Sequence, residues 1–149
     1  MIDWQWCSLE DLSAAQIYKV FAAREAVFVV EQTCAYQDLD GLDLRARHLI
    51  GWSAGEVAAY LRVLGPGTRF AEPSIGRILT TQPFRGSGAG RTLVELSLRH
   101  TDMQFPGHSV RISAQAHLEG FYASFGFTVV STPYLEDGIP HIEMLRTAN

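Results

Sequence analysis

The sequence predicts an α/β fold in which helices flank a mixed sheet. Segments with apolar residues at helical spacing alternate with short β-branched and aromatic segments, and glycine- and proline-rich stretches separate them. A length of 149 residues suits one domain, which at this size buries about two-thirds of its unfolded surface. We therefore expect a single domain over residues 1–149.

The first predicted helix begins with a capping box. Ser13 can accept a hydrogen bond from the amide of Gln16, whose side chain can bond back to the Ser13 amide. Apolar side chains follow at helical spacing from Ile17. We expect the helix to end within the β-branched and aromatic segment 26–32, and the polar segment 33–47 to be a loop.

A β-hairpin is predicted next, because the β-prone segments 48–52 and 56–64 are separated by only three residues that end in a glycine. After a glycine- and proline-rich break, strand, helix, strand, helix and two strands follow. The second helix carries Ala89, Leu93 and Leu96 on its inward face. The predicted strands are 75–81, 110–114, 127–130 and 141–146, and the short last helix is 117–125.

Composition excludes several classes of function. The chain has 12 basic and 16 acidic residues and a net charge of −4, so we expect no nucleic-acid partner. No apolar window has the length of a membrane span and no signal-like segment begins the chain, which predicts a cytoplasmic protein without a membrane partner. Cys7 and Cys34 are expected to be free thiols, with one bridge between them as the alternative.

Residues 84–91, FRGSGAGR, predict an anion site at the start of a helix. Glycines at alternate positions let a ligand approach the backbone, the first helical amides lack partners, and two arginines add charge suited to a diphosphate. The stretch has no Walker lysine, and Arg91 stands where a dinucleotide-binding fingerprint needs its third glycine. Both of those nucleotide-binding motifs are therefore excluded.

A third phosphate-binding pattern fits. Arg85, two residues, Gly88, one residue and Gly90 resemble motif A of the GNAT superfamily of acyl-CoA N-acyltransferases. The segment FYASFGF at 121–127 resembles the stretch that GNAT enzymes carry after their fifth strand, and its distance from Gly90 leaves room for one helix and one strand.

The resemblance extends over almost the whole chain. Segments 28–41, 114–127 and 134–144 resemble the ElaA branch of the GNAT family. This implies a single-domain GNAT fold whose mixed, mostly antiparallel sheet is splayed between the fourth and fifth strands. It also implies an acetyl-CoA-dependent N-acetyltransferase that moves acetyl to a primary amine of a small molecule or peptide. GNAT domains occur alone and in pairs, so a homodimer stays open.

The resemblance assigns residues to the CoA site. The end of the fourth strand would pair with the pantetheine arm and polarise the thioester carbonyl, and the glycine stretch would bind the pyrophosphate. Gln115 stands where many GNAT enzymes have an asparagine that contacts the CoA arm, and Leu118 replaces a frequent alanine. The strand residues are Ile78, Leu79 and Thr80, and the pyrophosphate residues are Arg85, Gly86, Ser87, Gly88, Ala89, Gly90 and Arg91.

The resemblance makes Tyr122 the proton donor to the departing thiolate. A phenol with a reference pKa of about 10 can protonate a thiolate whose conjugate acid has a pKa of about 8.5. An amide of Leu79 or Thr80 would stabilise the oxyanion of the tetrahedral intermediate, an effect of about 3 kcal/mol at other oxyanion sites.

The general base is not decided by the sequence. Val110 stands where some GNAT enzymes carry a glutamate. Glu31 and His141 are preferred, because both lie inside the ElaA-like segments and beside predicted strand ends. The full set of candidates is Glu31, His48, His117, His141 and Glu143.

No metal site is predicted. The acidic segment 38–43 fits no EF-hand register, since Arg47 falls where the bidentate glutamate is needed, and no HExxH motif is present. We expect its aspartates to be solvated, or else to attract a cationic amine. The alternative to the enzyme is a non-catalytic acyl-CoA-binding sensor, although a sensor would have no reason to keep the Tyr122 phenol.

Overall fold

The computed structural model describes residues 1–148, within which eight strands form one sheet and three α-helices pack against it. The strands are β1 (Asp3–Cys7), β2 (Arg47–Ser53), β3 (Glu56–Leu64), β4 (Ser74–Thr80), β5 (Val110–Gln115), β6 (Thr128–Val129), β7 (Tyr134–Glu136) and β8 (Ile139–Arg146). The α-helices are α1 (Ala14–Glu25), α2 (Ala89–Gln104) and α3 (Glu119–Ala123).

The sheet is mixed and mostly antiparallel, as expected. Its strand order is β1-β2-β3-β4-β5-β8-β6, with β7 also paired to β8, and β4 and β5 are its parallel neighbours. The predicted hairpin joins β2 and β3 through Ala54 and Gly55, whose φ angles of 50° and 77° are those of a type I′ turn. The α/β fold class with a mixed sheet is confirmed.

Two strands were absent from the predicted order. β1 pairs with β2 along its whole length, and β7 pairs with β8 across a turn at Asp137 and Gly138, which both have positive φ. β1 is an edge strand, and β7 has only three residues. Their local pattern is weak, because pairing with a partner strand determines their conformation.

The first helix starts as predicted. The Gln16 amide donates to Ser13 Oγ at 3.1 Å, and the Ser13 amide donates to Gln16 Oε1 at 2.9 Å. After α1 the chain does not leave the helix at once but continues as a π-helix over Ala26–Glu31. This segment buries Val27 and leaves Glu31 exposed at its end.

The core lies on both faces of the sheet. Neighbouring strand residues point to opposite faces, so Leu49 packs with α2 while Ile50 packs with α1. The inward face of α2 contains Ala89 and Leu93 as predicted. Leu96 is only partly buried, because the buried face of α2 runs through other positions. The remaining buried residues of α2 are Val94, Ser97, Leu98 and Thr101.

Candidate active site

A cleft opens where β4 and β5 separate. The two strands are paired only at Ser74 and Arg111, and beyond this point a cleft of about 520 Å³ lies between them. Val27, which packs with α1, and Tyr122, which packs with α2, both line it. The gap therefore passes through the sheet, as the expected splay requires.

β4 is distorted beside the cleft. Arg77 has a φ of 52°, and the register between β3 and β4 shifts between Tyr60 and Arg62. A non-glycine residue in this region is strained, and such bulges frequently re-aim a strand near a functional site. The Arg77 side chain forms an ion pair with Asp38. Asp38 Oδ1 lies 2.7 Å from Arg77 Nε, but the angle at this contact does not suit a hydrogen bond.

The end of β4 carries the three residues expected to contact pantetheine. Ile78 lines the cleft, Leu79 is buried with α1, and Thr80 is partly exposed. Within the described chain, β4 has no strand partner on its β5 side beyond Ser74. Its backbone groups on that side are therefore available to an extended ligand.

The glycine stretch forms the turn that leads into α2. Gly86 and Gly88 have φ angles of 79° and 88°, and nothing lies within 4 Å of where a Cβ would stand at either. Gly88 is the N-cap and offers no capping side chain. The Ser87 amide bonds to Phe84 O at 3.3 Å, and the Ala89 amide reaches Ser87 Oγ at 3.4 Å.

The remaining amides of this turn are free of backbone partners in the part of the chain that the structure describes. No backbone group in residues 1–148 accepts from the amides of Gly86, Gly88, Gly90 or Arg91 outside the regular helical bonds. They stand at the positive end of a 16-residue helix in an exposed turn. The arrangement suits a phosphate or diphosphate, as the sequence predicts.

The two flanking arginines have partners of their own. Arg85 donates to Glu31 Oε2 at 2.7 Å and to Thr80 O at 3.2 Å, which joins the end of the π-helix to the turn. Arg91 lies over the Phe125 ring at 4.8 Å and donates to Ser124 Oγ at 3.0 Å. Arg91 thus connects the start of α2 to the segment that follows α3.

Tyr122 lies on α3 at the wall of the cleft. Its side chain is 6% exposed and its ring packs edge-on against Phe121 and Phe127. Burial raises the pKa of Tyr122 to about 12. The phenol is therefore protonated at neutral pH and is able to donate.

His141 and Gln115 face each other across β8 and β5 and both line the cleft. His141 Nδ1 lies 2.7 Å from Ile139 O, and Nε2 lies 3.2 Å from Glu136 Oε2. Tyr134 stacks on the imidazole with 6.1 Å between ring centres. Glu31 lies outside the cleft lining, so the structure separates the two preferred base candidates.

An arginine–aspartate network beside the cleft was not predicted. Arg24 is fully buried, with its Nε 2.8 Å from Asp38 Oδ2 and its Nη1 2.6 Å from Asp43 Oδ1. Arg62 is also buried and binds Asp40 through two nitrogens and Asp43 at 3.2 Å. The network therefore ties α1 and β3 to the loop between the π-helix and β2.

The expectation that these aspartates are solvated is wrong for Asp38 and Asp43, which are buried, and Asp40 is paired. Burial acts to raise the pKa of Asp40, but hydrogen bonds from Arg62 and Leu42 and the charges of the nearby arginines outweigh it and hold that pKa well below its usual range. One signal was present: Arg24 lies on the apolar face of α1, four residues after Val20.

Among residues 1–148, no three His, Cys, Asp or Glu side chains group as a metal site. The helices of this described range include none long and apolar enough to cross a membrane. Cys7 and Cys34 are both buried and unpaired, which confirms the expectation of free thiols.

Comparison with known proteins agrees with this geometry. The family model of the GNAT acetyltransferase domain matches residues 9–148. ElaA of Escherichia coli K12 is 44% identical over 148 residues, covering 98% of this chain and 97% of ElaA. The crystal structure of E. coli ElaA has a TM-score of 0.92 at 43% identity, with 98% of this chain and 99% of that chain covered.

A second solved structure has the same fold throughout. An acyl-CoA N-acyltransferase from Pseudomonas aeruginosa has a TM-score of 0.94 at 41% identity, with 99% of this chain and 100% of that chain covered. Residues 9–148, which the family model matches, contain β4, β5, the glycine turn and the helix that carries Tyr122. This chain therefore belongs to the GNAT acyltransferase family, in the branch that contains ElaA.

Proposed function

We propose that this acyltransferase is a cytoplasmic, single-domain enzyme that transfers the acetyl group of acetyl-CoA to a primary amine of a small molecule or peptide. The observation that carries the proposal is the position of Tyr122, a neutral phenol on the wall of a cleft that opens through the sheet. The free thiols of Cys7 and Cys34 support a reducing compartment.

The CoA site in this proposal uses the backbone more than side chains. Pyrophosphate binds the amides of the glycine turn, with the charges of Arg85 and Arg91 beside it. Pantetheine lies along the unpaired side of β4, and Gln115 contacts it from β5. The residues assigned to CoA are Ile78, Leu79, Thr80, Arg85, Gly86, Ser87, Gly88, Ala89, Gly90, Arg91 and Gln115.

The proposed chemistry is direct attack of the amine on the thioester carbonyl. An amide of Leu79 or Thr80 stabilises the oxyanion of the tetrahedral intermediate, and Tyr122 gives its proton to the thiolate as the C–S bond breaks. The amine must arrive deprotonated, since an alkylammonium has a reference pKa of about 10.4. Overall an ammonium and a thioester become an amide, a thiol and one released proton.

Glu31 and His141 remain the candidates for the base, and their positions favour His141. His141 lines the cleft together with Tyr122, whereas the Glu31 carboxylate is bonded to Arg85 beside the glycine turn. Glu31 is better placed to orient Arg85, and we assign it that role in CoA binding.

The test is thiol release from acetyl-CoA across a panel of primary amines, including amino acids, peptides with a free amino terminus and small alkylamines. We expect at least one amine to raise release above the rate of hydrolysis, with the acetylated amine detected by mass spectrometry. Tight CoA binding in calorimetry without any stimulated release would contradict the enzyme and favour the acyl-CoA sensor.

A further inference from the structure

Three carboxylates line the cleft, and they differ in what they are bonded to. Asp40 is bound by the buried Arg62 and has Arg77 nearby, so its charge is compensated. Asp137 is exposed on the turn between β7 and β8. The charge of Glu136 is compensated on one side only, because one of its oxygens faces the Arg69 guanidinium and the other faces the His141 imidazole.

The pair of Glu136 and His141 lacks a donor when the imidazole is neutral. Ile139 O can only accept, so His141 Nδ1 carries the hydrogen of their 2.7 Å bond. The Nε2 of a neutral ring then presents a lone pair to Glu136 Oε2 at 3.2 Å, and both atoms are acceptors. Two acceptors at this distance are stabilised by a proton or a cationic donor between them.

The imidazole is held in this orientation. Tyr134 stacks against it, and the Tyr134 hydroxyl is hydrogen-bonded to Ser113 on β5. The side chain of His141 is about one-tenth exposed, with its accessible side on the cleft. The ring therefore cannot easily turn away from Glu136.

We infer that Glu136 and His141 form the docking subsite for the ammonium group of the acceptor, which selects basic alkylamines; this inference rests on the proposed function. The ammonium donates to Glu136 Oε2 and to His141 Nε2. One N–H bond breaks as its proton moves to Nε2, which leaves a neutral amine and an imidazolium paired with Glu136. The amine then attacks the thioester, and as the C–S bond breaks the nitrogen loses a second proton, which replaces the one that Tyr122 gives to the thiolate. The imidazolium returns its proton to water.

The other charged groups near Glu136 and His141 do not take over the binding of the ammonium group. Arg69 lies 2.9 Å from Glu136 Oε1, but the pair is more than one-third exposed on both sides, and such pairs are weak. Glu143 lies two residues after His141 on the same face of β8, and it accepts a hydrogen bond from Arg111 at 2.9 Å. Asp137 is the neighbouring carboxylate and provides a matched control.

The test compares two acceptors in Glu136→Gln. One is the most active alkylamine of the panel, and the other is its O-alkyl hydroxylamine analogue, whose nitrogen is unprotonated at neutral pH. Loss of a charge-assisted bond should lower kcat/KM for the alkylamine about 10- to 100-fold in Glu136→Gln, while the analogue changes by less than about threefold. Asp137→Asn, which keeps the turn because asparagine tolerates positive φ, should behave as wild type with both.

Selective loss of the alkylamine in Glu136→Gln, with thermal unfolding unchanged, supports the inference. Equal loss for both acceptors would assign Glu136 a structural role and overturn it, as would no loss at all. The same selective loss in Asp137→Asn would overturn it too, because the effect would then belong to the general charge of the cleft mouth. If the wild type acetylates neither acceptor, the proposed function fails first.

Discussion

The Tyr122 phenol is buried against two aromatic rings at the cleft wall, and burial raises its pKa from the ordinary value of 10.0 to about 12. A group whose pKa is higher in the folded state stabilises the fold below its unfolded pKa. This contribution is lost as the pH rises from the ordinary value through the folded one. At physiological pH the phenol is fully protonated, which suits a proton donor.

Tyr122→Phe should lower kcat for acetyl transfer by at least about 100-fold, because the thiolate must then leave without a positioned proton donor. The ring and its packing are kept, so CoA affinity in calorimetry and the midpoint of thermal unfolding should stay close to wild type. Tyr18→Phe is the matched control, since the Tyr18 side chain is 76% exposed on α1. Wild-type kcat in Tyr122→Phe would remove Tyr122 from the mechanism.

At the scale of one element, the amino end of α2 explains why side chains are sparse in the glycine turn. Gly88 caps the helix with a φ of 88° and no side chain, and the first amides are left for a ligand. An ordinary capping residue would satisfy one of these amides and occupy the approach to the others. The lack of side chains at Gly86 and Gly88 leaves open space above the turn, where we propose that the diphosphate binds.

Gly88→Val should weaken CoA binding at least about tenfold, because a branched side chain would stand over the amides and strain the backbone by about 1–2 kcal/mol. Calorimetric titration with CoA measures the binding, and urea unfolding checks that the protein is folded.

Gly107→Val is the control for that prediction. Gly107 follows the other end of α2, has a φ of 78° and has nothing within 4 Å of where a Cβ would stand, so valine imposes the same backbone strain away from the glycine turn. We expect CoA affinity close to wild type and a similar loss of stability. Wild-type CoA affinity in Gly88→Val would contradict the placement of the pyrophosphate at this turn.

At the scale of the whole molecule, the arginine–aspartate network joins parts that are far apart in sequence. Arg24 from α1, Arg62 from β3 and Arg77 from β4 all bind aspartates of the segment 38–43. Asp40 and Leu42 of this segment line the cleft, so the position of this part of the wall depends on buried ion pairs rather than on a regular element. Removing one partner leaves an uncompensated buried charge, which is strongly destabilising.

Arg24→Met should lower the free energy of unfolding by about 3–5 kcal/mol, because Asp38, Asp40 and Asp43 would then share only two arginines and one negative charge of the network would be uncompensated. Lys19→Met on the same helix removes an exposed pair with Glu56 and should cost at most about 1 kcal/mol. Urea unfolding of both variants measures the difference. Equal losses in the two variants would contradict a stabilising role for the network.

The sequence by itself determined the elements that local pattern controls. The capping box at Ser13 and Gln16, the hairpin turn at Gly55 and the strand–glycine–helix arrangement around Gly88 depend on residues close in the chain. The family resemblance added the splay between β4 and β5 and the placement of Tyr122 beside it. These features are local or belong to a recurrent fold, and both are readable from residue type and spacing.

Tertiary structure alone decided which polar side chains meet. Asp38 and Asp43 were expected in solvent, but strands and a helix distant in sequence bring Arg24, Arg62 and Arg77 to that loop and bury the charges together. The pairing of His141 with Glu136 likewise requires the β7–β8 turn. Burial and long-range ion pairing depend on three-dimensional position, which no spacing along one chain specifies.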